Sequence, residues 1–120
     1  MFDISRDNVI SITRGDSAKF PLFINTGTEL KPIRYVLGEN DEVYLAIMQP
    51  NQYFENAIVK KKYTNEDLND HGDVLIKIRP EDTEQLIPGK YYYQIKSKLK
   101  TADDYEVHTV IKKTEFFIVE

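Results

Sequence analysis

A strict two-residue alternation in residues 91–99 is the feature of this sequence that most constrains its fold. Alternate positions form a largely apolar set, made of Tyr91, Tyr93, Ile95, Ser97 and Leu99, and a polar set, made of Tyr92, Gln94, Lys96, Lys98 and Lys100. Successive side chains of a β-strand point to opposite faces, so we expect the first set to face a core and the second to face water. The segment is therefore predicted to be a half-buried strand.

Short segments rich in β-branched and aromatic residues recur between turn clusters, whereas helical periodicity is scarce. Alternation in two of these segments predicts further inward residues, namely Ala18, Phe20, Leu22 and Ile24 in one and Val74, Ile76 and Ile78 in the other. Pro21 lacks a backbone donor, which predicts a sheet edge or a bulge. A phase change between Ile111 and Phe116 predicts a bulge near Lys112 and Lys113.

Residues 80–86 form the one predicted helical turn, because proline suits a first helical position and acids favour the positive end of a helix dipole. After this turn, Gly89 reverses the chain, and either Tyr91 or Tyr93 can bury its ring and bond its hydroxyl back to the corner. About seven strands at this spacing predict an all-β, immunoglobulin-like antiparallel sandwich. The 120-residue chain is predicted to form a single domain, with a core over residues 5–119.

Composition excludes several classes of protein. The longest apolar run, residues 43–48, is far shorter than the roughly 18 residues that a transmembrane helix needs, so we expect no membrane partner. The absence of cysteine excludes disulfides, thiolate metal sites and a cysteine nucleophile. A net charge of −4 and a pI near 5.2 argue against nucleic acid as the main partner. Residues 1–4 do not resemble a signal peptide, so synthesis in the cytoplasm is expected.

Candidate catalytic and metal-binding residues are few. His71 and His108 lie far apart in sequence, and neither belongs to a triad or metal motif. Residues 67–72 begin like a calcium loop, but Ile78 occupies the position of the bidentate carboxylate, which excludes an EF-hand and leaves other calcium sites open. The acids of residues 81–84 are explained by the helix N-terminus. We therefore predict no enzymatic activity, no cofactor and no resident metal.

Lysines are concentrated in two predicted strands. If neighbouring strands align them, they form a basic stripe that can contact phosphate or an acidic protein surface. The predicted stripe consists of Lys60, Lys61, Lys62, Lys96, Lys98 and Lys100, and strand alignment could add Lys112 and Lys113. The alternative interpretation is that these lysines are solvated and protect strand edges against aggregation.

Apolar residues at outward strand positions and aromatic residues in predicted loops are candidate contacts for a protein partner, because aromatic residues are enriched at interfaces. The outward positions are Phe23, Tyr44 and Met48, and the loop residues are Tyr35, Tyr53 and Phe54. The same aromatic residues could stack on sugars, although the chain has no tryptophan.

Four blocks carry a resemblance to a known family: residues 12–17, 37–44, 78–83 and 86–95, the last containing Leu-x-Pro-Gly-x-Tyr. In this order they resemble immunoglobulin-like β-sandwich domains of tailed-bacteriophage structural proteins, especially baseplate and tail accessory proteins. The resemblance implies a virion component that is assembled in the cytoplasm of a bacterial host. Such a protein would pack against other virion proteins or copies of itself.

Two other functions remain open from the sequence. A carbohydrate-binding or host-attachment module would expose several aromatic residues on one face. A regulatory domain that binds an acidic protein would use the basic stripe.

Overall fold

Strands make up most of the regular structure in the computed structural model, which describes residues 1–120. In chain order they are β1 (Phe2–Ile4), β2 (Ile10–Thr13), β3 (Ala18–Leu22), β4 (Asn25–Gly27), β5 (Pro32–Arg34), β6 (Glu42–Met48), β7 (Val59–Tyr63), β8 (Val74–Ile78), β9 (Gly89–Lys100) and β10 (Tyr105–Val119). The helical elements are α1 (Pro80–Thr83) and the 3₁₀ turns Phe54–Asn56 and Asn65–Asp67. The all-β prediction is confirmed. The chain has more strands than the seven expected because β1, β4 and β5 are too short to show alternation.

The strands form one large sheet and two small ones. The six-stranded sheet has the order β1-β2-β10-β9-β6-β7, while β3 pairs with β8 and β4 pairs with β5. All neighbours are antiparallel except β2 and β10, which run parallel. Because β3 pairs only with β8, the edge position predicted from Pro21 is confirmed.

A single hydrophobic core draws residues from both the six-stranded sheet and the β3–β8 pair. The inward residues predicted by alternation in β3, β8 and β9 are all buried. At the centre, the rings of Tyr93 and Phe116 meet edge to face with their centroids 6.0 Å apart. A core shared between separate sheets is what a two-sheet sandwich requires. The sandwich and its immunoglobulin-like assignment stay predictions.

The corner that leads into β9 has the predicted hydrogen bond. The Tyr91 hydroxyl donates to the carbonyl of Ile87 at 2.6 Å, while the ring is buried. The helical turn before it is α1, and its buried Thr83 accepts a hydrogen bond from the Gly15 amide at 2.9 Å. Gly15 has a φ of 83°, a left-handed conformation that favours glycine. This contact ties the turn between β2 and β3 to the corner.

The β9–β10 hairpin changes register near the predicted bulge. The pairing shifts between Thr109 and Ile111, and again between Ile111 and Thr114. Because of the bulge, the side chains of Phe116 and Ile118 point to the core, where both are buried. No helix in the chain is long and apolar enough to span a bilayer.

Candidate interaction surface

The outer face of the six-stranded sheet carries a concentration of lysines and aromatic rings, which we call the lysine–aromatic face. Strand register places Tyr44 of β6 between Lys62 of β7 and Lys96 of β9. The next row pairs Glu42 with Lys98. The face consists of Lys60, Lys62, Lys90, Lys96, Lys98, Lys100 and Lys113, with the rings of Tyr44, Phe54, Tyr92 and Tyr105.

Three of these rings each lie beneath two ammonium groups. The Nζ atoms of Lys96 and Lys60 lie 4.7 and 5.2 Å from the centroid of the Phe54 ring. Those of Lys98 and Lys100 lie 4.5 and 5.0 Å from the Tyr105 ring centroid. Those of Lys113 and Lys90 lie 5.2 and 5.5 Å from the Tyr92 ring centroid. An exposed cation–π contact contributes about 0.5–1 kcal/mol. The rings therefore restrict the lysine side chains without neutralising their charge.

Carboxylates neutralise only part of this surface. Lys62 forms a salt bridge with Glu42 at 2.6 Å, and Lys90 forms one with Glu115 at 3.1 Å. The hydrogen bond that Lys62 donates to Glu42 lowers the pKa of Glu42. The same hydrogen bond raises the pKa of Lys62. The lysines of the face that form no salt bridge within the chain are Lys60, Lys96, Lys98, Lys100 and Lys113.

Lys61 does not belong to this surface, so its place in the predicted stripe is wrong. It alternates with Lys60 and Lys62 and therefore points to the other face of β7. Its Nζ lies 2.6 Å from the Asp82 carboxylate and donates to the Lys77 carbonyl at 2.8 Å. The two-residue period of the strand was enough to exclude Lys61 from the face that carries Lys60 and Lys62.

The structure brings two of the predicted aromatic contacts onto the lysine–aromatic face. Tyr44 is half-buried in the row between Lys62 and Lys96. Phe54 lies in the first 3₁₀ turn, with its ring under two lysines. Tyr53 precedes it and is 74 % exposed. The role of these rings as contacts stays a prediction.

Met48 lies on the outer face opposite Tyr92, as its outward position predicted, but its side chain is completely buried, so its predicted role as a contact is wrong. The 3₁₀ turn after β6 contacts that strand, and Lys113 holds the preceding loop by donating to the Gln52 carbonyl at 3.1 Å. The loop thus covers the end of the outer face where Met48 lies. Covering by a loop explains why β6 is apolar on both faces.

The other two predicted contacts lie away from this face. Tyr35 is half-buried, and its hydroxyl donates to the carboxylate of Asp41. That hydrogen bond, together with burial, raises the pKa of Tyr35 to about 12. Tyr35 is thus held in an internal network. Phe23 is 62 % exposed just beyond β3, in the outward position predicted for it.

Sequence reasoning did not propose three members of the face as contacts: Tyr92, Tyr105 and Lys90. The alternation in β9 already placed Tyr92 among the lysines. The position of Tyr105 follows from the turn at residues 101–104, which sets the register opposite Lys100. Only the bulge in β10 brings Lys113 over the Tyr92 ring, and no local sequence pattern gives that geometry.

The residues that imitate a calcium loop have structural partners within the chain. Asn69 accepts hydrogen bonds from the amides of His71 and Asp73 at 2.9 and 3.0 Å. The Asp67 carboxylate accepts from the Thr64 amide at 2.8 Å. The chain contains no group of three or more His, Cys, Asp or Glu side chains arranged to hold a metal ion.

Comparisons of this chain with protein-family models, with curated proteins and with solved structures give no match. The chemistry of the surface must therefore be read from its own residues. Restrained ammonium groups beside aromatic rings can bind carboxylates or phosphates by charge, while the rings add apolar contact.

Proposed function

We propose that this chain is a non-enzymatic structural component of a tailed-phage virion that acts through assembly contacts. Its partner would be another virion protein or a second copy of the chain. The phage assignment rests on the resemblance of four sequence blocks and on a strand arrangement compatible with an immunoglobulin-like sandwich. The lysine–aromatic face is the proposed contact surface, and it would dock onto an acidic patch of the partner.

The observation that carries this proposal is the pairing of lysines over shared rings. Lys96 and Lys60 are restrained over Phe54, and neither forms a salt bridge. A long lysine side chain normally loses rotamer freedom when it binds, and prior restraint reduces that cost. The ammonium groups are thus positioned for an external carboxylate.

The overall charge favours an acidic patch on a protein over a nucleic acid. A long polyanion would approach a molecule with a net charge of −4, so the remainder of the surface would repel it. A local acidic patch contacts only the lysine–aromatic face. Beyond about 10 Å, screening at 0.1 M salt largely removes repulsion from the other acids.

Quantitative mass spectrometry of phage particles purified from the source strain tests the virion role. We expect the chain in intact particles at a fixed ratio to the major capsid protein. A small ratio indicates a tail or baseplate position, and a ratio near one indicates the head. Absence from particles that contain the other structural proteins would contradict the proposal.

The contact surface is tested by charge reversal in the phage. We expect the double variant Lys96→Glu and Lys98→Glu to be lost from assembled particles. The matched control reverses Lys19 and Lys31, which are exposed and lie outside the face. Incorporation of both variants at the wild-type level would show that another surface makes the contact.

The same face would also serve a regulatory domain that binds an acidic protein. The particle measurement separates these functions, because a regulator would be made in infected or host cells without joining purified virions. Charge reversal at Lys96 and Lys98 would weaken binding in either case.

A further inference from the structure

A cavity of about 530 Å³ lies at one end of the core, away from the lysine–aromatic face. Its walls come from residues 23–27, which link β3 to β4 and form β4, and from the β9–β10 hairpin. The volume falls within the range of about 300–1,000 Å³ that is typical of small-molecule sites. The polar side chains that line it are Asn25, Thr26, Ser97, Glu106, His108 and Thr109.

Ser97 supplies an independent sign that this cavity takes a ligand. The residue is 1 % exposed, and its hydroxyl is the only buried side-chain polar atom without a hydrogen-bond partner in the chain. Buried hydroxyls are normally paired, because leaving one unpaired is unfavourable. Ser97 borders the cavity, so a ligand group that reaches its hydroxyl would supply the missing hydrogen bond.

The lining defines the chemistry of that ligand. No lysine or arginine borders the cavity, so an anionic ligand would have no counter-charge there. Glu106 and His108 lie 3.3 Å apart through Oε2 and Nε2 and offer both donor and acceptor atoms. Phe23, which is 62 % exposed, contributes an apolar ring at the rim. Hydroxyl-binding groups and an apolar ring in one cavity suit a molecule with hydroxyls on its edge and C–H groups on its face.

We propose that this cavity binds a neutral saccharide, with the sugar ring against Phe23 and its hydroxyls bonded to Ser97, Glu106 and His108. The proposal does not depend on the virion role or on the lysine–aromatic face. A sugar site on a virion protein would provide contact with a cell-surface glycan. If the chain has no virion role, the same experiment still detects the sugar site.

The test is a ¹H–¹⁵N NMR titration with glucose, galactose, N-acetylglucosamine, maltose and lactose at millimolar concentration. We expect at least one of these sugars to shift the amide signals of residues 97, 106 and 108, while the signals of Lys60 and Lys62 stay in place. Absence of shifts with every sugar would overturn the proposal. Shifts confined to the lysine–aromatic face would overturn it as well.

Two variants connect the binding to the cavity. Ser97→Ala removes the unpaired hydroxyl and should weaken sugar binding by about fivefold to tenfold. Phe23→Ala removes the rim ring and should weaken binding by a similar factor. The matched control is Ser17→Ala, which changes an exposed serine outside the cavity. Wild-type affinity in both cavity variants would contradict the proposal.

A stability measurement guards against misfolding as the cause of lost binding. Ser97→Ala should leave the thermal midpoint of the sugar-free protein unchanged or raised, because the hydroxyl makes no hydrogen bond there. At the same sugar concentration, the midpoint should rise less in Ser97→Ala than in the wild type. A fall in the midpoint of the sugar-free variant would show that the hydroxyl has a structural partner, which would overturn its role as a ligand group.

Discussion

The two faces of β9 differ in what their residues contact, although they alternate along one strand. On the inner face, Tyr93 and Ile95 have no exposed surface and pack in the shared core. On the outer face, Lys96 and Lys98 contact aromatic rings and keep their charge unpaired. The inner face thus determines stability, whereas the outer face is available for binding. Substitutions on the two faces should therefore have separable effects.

The largest effect is expected on the inner face. Tyr93→Ala removes a fully buried ring and its edge-to-face contact with Phe116, so we expect a loss of about 3–5 kcal/mol in the free energy of unfolding. Denaturant unfolding measures this loss. Lys96→Ala, three residues further along β9 on the outer face, is the control, and an equal loss in both variants would remove the distinction between the faces.

The next effect concerns Asp41, which ties the end of β9 to the loop before β6. Its buried carboxylate accepts hydrogen bonds from the Tyr35 hydroxyl and from the amides of Gly38 and Lys100, the last two at 2.7 Å. Asp41→Asn replaces one acceptor oxygen with a donor, so we expect a loss of about 1–3 kcal/mol at neutral pH.

Asp41 should also make stability depend on pH. Burial alone raises the pKa of its carboxyl, but the hydrogen bonds from Tyr35, Gly38 and Lys100 outweigh burial and lower it below 3.8. A carboxyl whose pKa is lower in the folded state stabilises the fold at any pH above its pKa in the unfolded chain. That stabilisation is lost as pH falls through the pKa of the folded state. The acid-induced loss below pH 3.8 should therefore be smaller in Asp41→Asn, and an identical acid profile in both proteins would contradict this role.

A smaller effect is expected from Tyr93→Phe, which keeps the ring and removes the hydroxyl that donates to the Asn8 carbonyl. We expect a loss of about 0.5–1.5 kcal/mol near neutral pH. Burial raises the pKa of Tyr93 from 10.0 to about 12. Between these values the unfolded chain ionises first, so the wild type loses stability as pH rises. Tyr93→Phe should lose less stability in that range, and unfolding at pH 10 and 12 measures the difference.

The smallest effect on stability is expected on the outer face. Lys96→Ala and Lys98→Ala each remove an exposed cation–π contact, so each should change the free energy of unfolding by about 0.5–1 kcal/mol or less. A loss above about 2 kcal/mol would place these residues among the structural ones.

Sequence periodicity was sufficient to predict the inner half of this fold. Alternation located the buried residues of β9, and the corner motif predicted the hydrogen bond that Tyr91 makes. The same period would have excluded Lys61 from the outer face. Burial of Met48 could not be predicted, because a loop from outside the strand covers it.

The candidate surface was only partly predictable for a related reason. The β9 lysines follow from local alternation, whereas their ring partners come from distant segments. Phe54 reaches Lys96 through the loop after β6, and Tyr105 reaches Lys98 through hairpin register. Such contacts depend on tertiary structure. The cavity beside Ser97 likewise forms between segments that are remote in sequence.

The most direct test of the proposed contact surface compares binding of a short fluorescent peptide, hexaglutamate, by charge-matched variants, because a short acidic peptide imitates a local acidic patch. Fluorescence anisotropy at low and physiological salt gives the dissociation constants. We predict that the wild type binds with an affinity that falls as salt rises, that the Lys96→Glu and Lys98→Glu double variant loses binding, and that the Lys19→Glu and Lys31→Glu double variant retains it. Equal binding by the two double variants would contradict the assignment of the lysine–aromatic face as the contact surface.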